Sequence, residues 1–579
     1  MTNQFRIGTI CAVLALASCD AQVETSKTDF ADTILTNAKV YTVDKNKSWA
    51  DTVVVKDGKI TFVGDQSGAD QLTGPNTDVI DLNGQLLLPS FQDAHAHFAN
   101  GGASYTGCPV YDLPDLETVL STIEKCVAEN PNAQIIRGYG WSIDQFDDGL
   151  PPAKELLDAI DSSRPLVFGD ADGHALWANS KAFELYGITK DTPNPKGGKI
   201  EKDRTTGDVR GTVHEESAMN LIRDKWPAFT DEEIMSGIKI AQDLYHSLGI
   251  TAASESIVKL EGRDGYRSLP ALKAMNDSGD LKTHIVAALL WDAEKGTDQL
   301  DAFKSARDAY SDGKLHVKTI KFWADGVVET HTAMMLDFYA DLPDSRGFMM
   351  VPRTQLMEGI RLVDAEGFQA HIHTIGDATA RYALDAIEAT WDANGRRDAR
   401  HQVTHAQFVH PKDLERFAEL DVGVSFQPLW SYEDDYITYY TLPRVGPERI
   451  KWSYPIGTLM ENGTKVAFSS DWPVSSANPF WGIETAITRL DPLTGEGDVF
   501  LPAQRINLEQ AIEAYTINAA YLNMLDETTG SIEVGKSADL VVLDQNLFEI
   551  PVSAISDTKV QMTIFEGEIV YKNPDSTQK

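Results

Sequence analysis

Cysteine is scarce, with four in 579 residues and only Cys108 and Cys126 beyond position 20. At most one disulfide can therefore form in the body of the chain. Spacing alone leaves a pair or two buried thiols equally open. Positive charge is also in short supply: 51 Lys and Arg stand against 87 Asp and Glu, a net charge of −36. A phosphate backbone would be repelled by such a surface, which argues against nucleic acid as a partner. No stretch past the N-terminus is long and apolar enough to span a bilayer, and there is neither an internal repeat nor a low-complexity segment. What is present is a globular composition, 42% hydrophobic and 9% aromatic, in a chain long enough for two to four structural units.

The first residues read as an address. Arg6 precedes an apolar run over residues 7–17 and then Leu16-Ala17-Ser18-Cys19, too short for a mature transmembrane helix. Leu-Ala-Ser-Cys resembles a bacterial lipobox, which implies a signal peptide over 1–19 and a lipidated Cys19 as the new N-terminus. Lipid would anchor the protein without a spanning helix. Asp20 resembles an inner-membrane retention signal. The expectation is an exported lipoprotein, periplasmic and membrane-anchored, with residues 20–30 as a tether. An ordinary signal peptide carrying a chance cysteine is the alternative.

Short alternating segments fill residues 31–85 and return at 526–575, with Asp57-Gly58 as a hairpin signal. Neither end has enough strands for a sheet of its own, so the two are expected to join as one small β-sandwich. Between them, buried strands alternate with helical stretches, the signature of an α/β fold. The candidate strands cover residues 86–91, 249–254, 284–289, 319–324, 368–373, 402–405, 422–427 and 465–470. Eight such units predict a (β/α)8 barrel over 86–525. Two further strand-like runs, 133–138 and 165–169, fall in an insertion at about 103–215.

The chemistry gathers at the strand ends. Asp93-Ala94-His95-Ala96-His97 closes the first strand. Alternation puts Asp93, His95 and His97 on one face, and two imidazoles on a rigid strand can share a metal. A bare His-x-His also occurs by chance, so the later strands decide. Lys321 lies in the fourth, His373 ends the fifth, His405 ends the sixth and Asp471 follows the eighth. All converge on the mouth where barrel active sites sit. Parity places Ile320, Phe322 and Ala324 against the helices and turns Lys321 inward. A buried ammonium needs a carboxylate such as Asp471 or Asp325, a depressed pKa, or carbamylation. His371 lies one residue pair deeper than His373 and reads as a supporting histidine; His401, His316 and His331 read as structural. Asp471 suits a metal ligand and base, or a helix N-cap.

These stretches together resemble the amidohydrolase superfamily, in the branch that includes N-substituted formamide deformylases. The resemblance rests on Pro89-Ser90-Phe91-Gln92-Asp93-Ala94-His95-Ala96-His97, Ile320-Lys321-Phe322-Trp323-Ala324-Asp325-Gly326, His373-Thr374-Ile375-Gly376-Asp377, Thr404-His405-Ala406-Gln407 and Ser470-Asp471-Trp472-Pro473-Val474, with Asp172-Gly173-His174 in the insertion. It departs at Ser90, often Gly in the family, and at Val327-Val328-Glu329-Thr330. The resemblance implies a centre of one or two divalent ions, usually zinc, held by His95, His97, Lys321, His373, His405 and Asp471. His174, Trp141, Trp323 and Trp430 are the candidates to line a pocket, although such aromatics also serve as core. The implied activity is hydrolysis of an amide, formamide or cyclic imide of a small molecule, with Asp471 taking the water's proton and delivering it to the leaving nitrogen. The alternatives are hydrolysis of an ester, lactone or phosphoester on the same barrel, and a lipoprotein that binds a solute without turnover.

Overall fold

Seven of the eight predicted runs, with Phe91–Ala96 as the first strand, become eight parallel strands hydrogen-bonded in chain order. The computed structural model describes residues 30–575 apart from 112, 147–150, 172, 196–197, 227 and 263. The leader, Cys19 and Asp172 lie outside the described residues. The barrel strands are Phe91–Ala96, Ile250–Val258, His284–Leu290, Leu315–Trp323, Gln369–Thr374, Gln402–His405, Gly423–Phe426 and Val466–Phe468. Each is followed by helical cover that buries its outward face. In the helix Asp231–Ser247, Thr230 and Glu233 form a reciprocal capping box, and Ile234, Ile238, Ala241 and Tyr245 make the buried stripe. Burying a large apolar side chain is worth about 1.5–3 kcal/mol. Ile320, Phe322, Ala370 and Ile372, all fully buried in the outer apolar layer, therefore fix the register that turns Lys321, His371 and His373 into the barrel.

Two sequence expectations for the first strand are corrected. Residues 86–91 read as one buried run, yet Leu86–Pro89 belongs to a different sheet, pairing with Lys39–Tyr41 and Leu540–Leu543. The chain changes sheets at Ser90, whose N–H donates to the Asp539 carbonyl while that of Phe91 donates to Gly249. An apolar pattern alone does not show such a break. Asp93 and His95 also do not share a face. The register against the second strand shifts between Asp93/Ala253 and Ala96/Glu255, one extra residue on the first strand. Asp93 consequently meets Tyr245 on the outer helix, while His95 meets His371 inside.

The chain ends supply two sheets. One holds Lys59–Gly64, Thr52–Lys56, Thr33–Thr36 and Asp78–Asp81; the other runs Glu568–Lys572, Val560–Phe565, Leu540–Leu543, Leu86–Pro89, Lys39–Tyr41, Trp49–Ala50. Leu35, Val53 and Val55 from the first share an apolar cluster with Val40, Leu87, Leu540 and Ile564 from the second. Asp57-Gly58 forms the expected tight turn, both residues at positive φ.

Between the first and second barrel strands lies a six-stranded sheet, ordered Lys199–Lys202, Val209–His214, Ala175–Ala178, Leu166–Asp170, Ile136–Trp141, Cys108–Pro109. Only two of these six were legible beforehand. A disulfide joins Cys108 on its edge to Cys126 in the helix Leu116–Glu129, with Cα atoms 5.9 Å apart. Thiol counting on denatured, unreduced protein should find neither cysteine titratable. Reduction should cost about 3 kcal/mol for a loop of this length. Two titratable thiols at these positions would contradict the pairing.

Candidate metal centre

The ladder of the barrel runs from the first strand round to the eighth, and those two strands are stitched at the mouth by groups beside the candidate ligands. The Asp471 N–H donates to the His95 carbonyl and the His97 N–H to that of Trp472, both at 2.8 Å. Asp93 is the pin: its carboxylate accepts from the Ser470 N–H (3.0 Å), the Ser470 hydroxyl (2.5 Å), the Tyr245 hydroxyl (3.0 Å) and the His95 N–H (3.2 Å). Burial raises its pKa to about 6 against those hydrogen bonds. On the far side, Glu255 accepts from the Ala99 N–H at 2.7 Å and fixes the start of the helix Phe98–Tyr105, which follows His97. That helix crosses Asp231–Ser247 at backbone contact, because a Cβ on Gly102 would lie 2.0 Å from the Gly237 carbonyl oxygen.

His95, His97 and Asp471 bring their ligand atoms within 4.8 Å of one another. Asp471 Oδ1 lies 3.2 Å from His95 Nε2 and 3.1 Å from His97 Nε2, yet makes no hydrogen bond of good geometry. The His405 ring is 4.9 Å from that of His95, and His373 is 4.7 Å beyond it. Three of the four imidazoles are held through Nδ1: His95 by His371 Nε2 (2.8 Å), His405 by Gln427 Oε1 (2.8 Å) and His373 by Asp325 Oδ1 (3.1 Å). Nε2 is then the coordinating nitrogen, the usual division of labour around a bound ion. Burial, reinforced by Lys321 and the neighbouring rings, holds His95, His371, His373 and His405 well below the usual histidine range. All are neutral at pH 7, as ligands must be. Burial pushes Asp471 up, but the His95 and His97 edges more than offset it and keep the carboxylate ionised. Neutral nitrogens crowded round an unsatisfied carboxylate oxygen are a donor set that fits a divalent cation.

Lys321 is 1% exposed, and no carboxylate among the described residues lies within ion-pair distance of it. Asp325, one of the two candidate partners, instead serves the end of the fifth strand: it accepts from Ile375 N–H, Gly376 N–H, Met334 N–H and the Thr379 hydroxyl as well as His373. Burial lowers the Lys321 pKa to about 7, with Asp471 pulling weakly the other way. A pKa lowered this far makes the neutral amine accessible near neutral pH, and a neutral amine is the form that takes up carbon dioxide. Asp471 is no N-cap either; at φ 58° it leads into a turn that its own carbonyl closes with Val474.

Of the pocket candidates, Trp430 stacks on His405 at 5.5 Å, Trp323 lies 6.1 Å from His373, and His174 lies 6.0 Å from Trp323. Trp141 is not among them. It packs on Phe146 and Trp177 in the insertion's core and gives its Nε1–H to the Phe168 carbonyl. His401 is structural as expected, stacked on Trp391 and facing Asp364. Gln427 and Glu255 were missed. Gln427 closes the candidate strand 422–427 and could have been found by the strand-end rule that found His405. Glu255 stands one residue beyond the candidate strand 249–254.

A parallel eight-stranded barrel with this donor set defines a metal-dependent barrel hydrolase. The chain belongs to the amidohydrolase family, whose profile matches residues 78–571. It is 26% identical over 566 residues to the N-substituted formamide deformylase of Arthrobacter pascens, covering 95% of this chain and 100% of that one. The Arabidopsis thaliana protein LONG AFTER FAR-RED 3 is 28% identical over 523 residues, 90% of this chain and 88% of that protein. Among solved structures, an uncharacterized metal-dependent hydrolase from Pyrococcus horikoshii OT3 superposes with a TM-score of 0.71 at 26% identity, over 90% of this chain and 99% of that one.

Asp325→Asn keeps the volume but sets an amide NH2 among five donors. It should weaken metal retention about 10–100-fold, measured by chelator competition. Unchanged retention would mean that His373 needs no holder.

Proposed function

We propose that this enzyme hydrolyses a non-peptide C–N bond, in an amide, formamide or cyclic imide of a small molecule, with one or two zinc ions held by His95, His97, Lys321, His373, His405 and Asp471. The observation that carries the reading is Asp471 Oδ1 set between two imidazole Nε2 atoms at 3.2 and 3.1 Å. The formamide deformylase relative supports the bond class. A bound divalent ion supplies acidity to water and polarises a carbonyl. The chain does the rest. Asp471, ionised and unsatisfied, accepts the proton of the attacking water. Lys321, whose pKa burial lowers to about 7, becomes an anionic carbamate that completes the ligand set. Trp323, Trp430 and His174 form the walls against which the substrate lies.

The two chain-end sheets are read as one composite β-sandwich bracketing the barrel, and residues 103–215 as an insertion in it. The Leu-Ala-Ser-Cys stretch supports export and anchoring through a lipid on Cys19. Cys19→Ser should move the protein from the membrane to the soluble fraction. Native protein starting at an unlipidated Met1 would exclude the anchor.

Lys321 and Asp471 should fail differently. Lys321→Ala should lose metal as well as turnover, and a short carboxylic acid such as propionate should restore part of both. Asp471→Asn should keep part of its metal but lose about 10²–10⁴-fold in kcat on N-formyl substrates. Full metal content and near wild-type turnover in Lys321→Ala would reduce the lysine to a structural role.

A further inference from the structure

The insertion reaches the site through one pair of side chains. His174 Nδ1 lies 3.1 Å from Glu215 Oε2, and both side chains are 13% exposed. The His174 ring meets Trp323 edge-on at 6.0 Å, and Trp323 in turn lies 6.1 Å from His373. Glu215 is built in at a cost. Its backbone sits at φ 65°, ψ 156°, a region that glycine adopts readily and other residues pay for. Its N–H donates to the His174 carbonyl at 2.8 Å, so main chain and side chain grip the same histidine. Its second oxygen, Oε1, is buried without a hydrogen-bond partner. A strained, incompletely satisfied carboxylate gripping an imidazole beside the metal centre is not explained by the packing of the insertion.

We infer that Glu215 and His174 form an acid–base dyad supplied by the insertion, which protonates the leaving nitrogen while Asp471 acts on the attacking water. With Nδ1–H donating a hydrogen bond to Glu215, the carboxylate favours the imidazolium, and Nε2 is the atom that gives up a proton. The step balances. Water passes one proton to Asp471 as its oxygen bonds to the carbonyl carbon. When the C–N bond breaks, the electron pair stays on nitrogen and takes the Nε2 proton. Asp471 then returns its proton through solvent to His174, so acid and amine leave with both groups restored. Among the described residues, the charged and titratable groups that face His174 include Glu215, His214 and His373. This inference rests on the C–N hydrolase reading above, but splits between two residues the proton transfers that Asp471 alone would otherwise perform. Glu215 is a positioning residue in it; His174 touches the substrate.

The test compares wild type, His174→Gln and Glu215→Gly on N-alkyl formamides and on N-aryl formamides with strongly electron-withdrawing rings, with metal content measured alongside. An acid is needed most where the leaving nitrogen is basic. His174→Gln should lower kcat about 10²–10⁴-fold on the alkyl substrates and less than about tenfold on the activated aryl ones, with KM and metal content nearly unchanged. Glu215→Gly should show the same pattern while unfolding at the wild-type denaturant concentration or higher, because the strain is relieved. Equal losses on both leaving groups, a loss confined to KM, or no loss would overturn the dyad. If wild type turns over no formamide, and no acetamide or cyclic imide either, the bond class is wrong. The same leaving-group series is then run on alkyl and aryl esters, and the dyad is judged by the same split. If esters are inert too, it is judged by the hydrogen-bonded imidazole N–H proton of His174, which must appear in wild type and vanish in Glu215→Gly.

Discussion

The closure of the barrel at its mouth depends on Asp93. The ladder between neighbouring strands holds seven of the eight junctions, but the junction between the first and eighth strands is where His95, His97 and Asp471 must meet. Asp93 spans it, with Ser470 on one side, the His95 backbone on the other and Tyr245 from the helix layer behind. The register shift in the first strand is what makes this possible. It turns Asp93 outward to do the pinning and His95 inward to do the chemistry, within three residues of chain.

The same economy runs round the mouth. A buried polar group left unpaired costs about 1–3 kcal/mol, and this barrel buries four imidazoles, an ammonium and several carboxylates. Most are satisfied by one another: His371 on His95, Gln427 on His405, Asp325 on His373 and on three backbone N–H groups. At the mouth itself Asp471 Oδ1 and His97 Nδ1 remain without a hydrogen bond, and Lys321 is buried with no carboxylate within ion-pair distance among the described residues. A cation between the Nε2 atoms and Asp471 Oδ1 would satisfy that carboxylate oxygen, and a carbamate on Lys321 would replace a buried amine with a ligand.

Much of this was legible in the sequence, for identifiable reasons. Ile320, Phe322, Ala370 and Ile372 are apolar at alternate positions, so parity alone turned Lys321, His371 and His373 inward. Strand ends marked by His and Asp, with Lys321 inside the fourth strand, pointed to one mouth, and the family resemblance supplied the candidate ligand set. Three things escaped because they depend on partners distant in sequence. The break at Ser90 is set by Asp539 and Gly249, not by its own neighbours. The insertion's remaining strands are short or polar, such as Cys108–Pro109 and Lys199–Lys202, and acquire their state by pairing. Trp141 carries no sign of whether it lines a pocket or a core; the Phe168 carbonyl decides. Glu215 was invisible for a further reason, since its backbone conformation is one that its residue type argues against.

Anomalous diffraction or X-ray absorption at the zinc edge, on protein purified without chelator, bears most directly on the centre. The expected result is an ion about 2.0–2.2 Å from a nitrogen of both His95 and His97 and from an Asp471 oxygen, with any second ion beside His373 and His405. An ion bound elsewhere with these side chains unmoved, or fully active protein with no divalent metal, would contradict the assignment of this mouth as the metal centre.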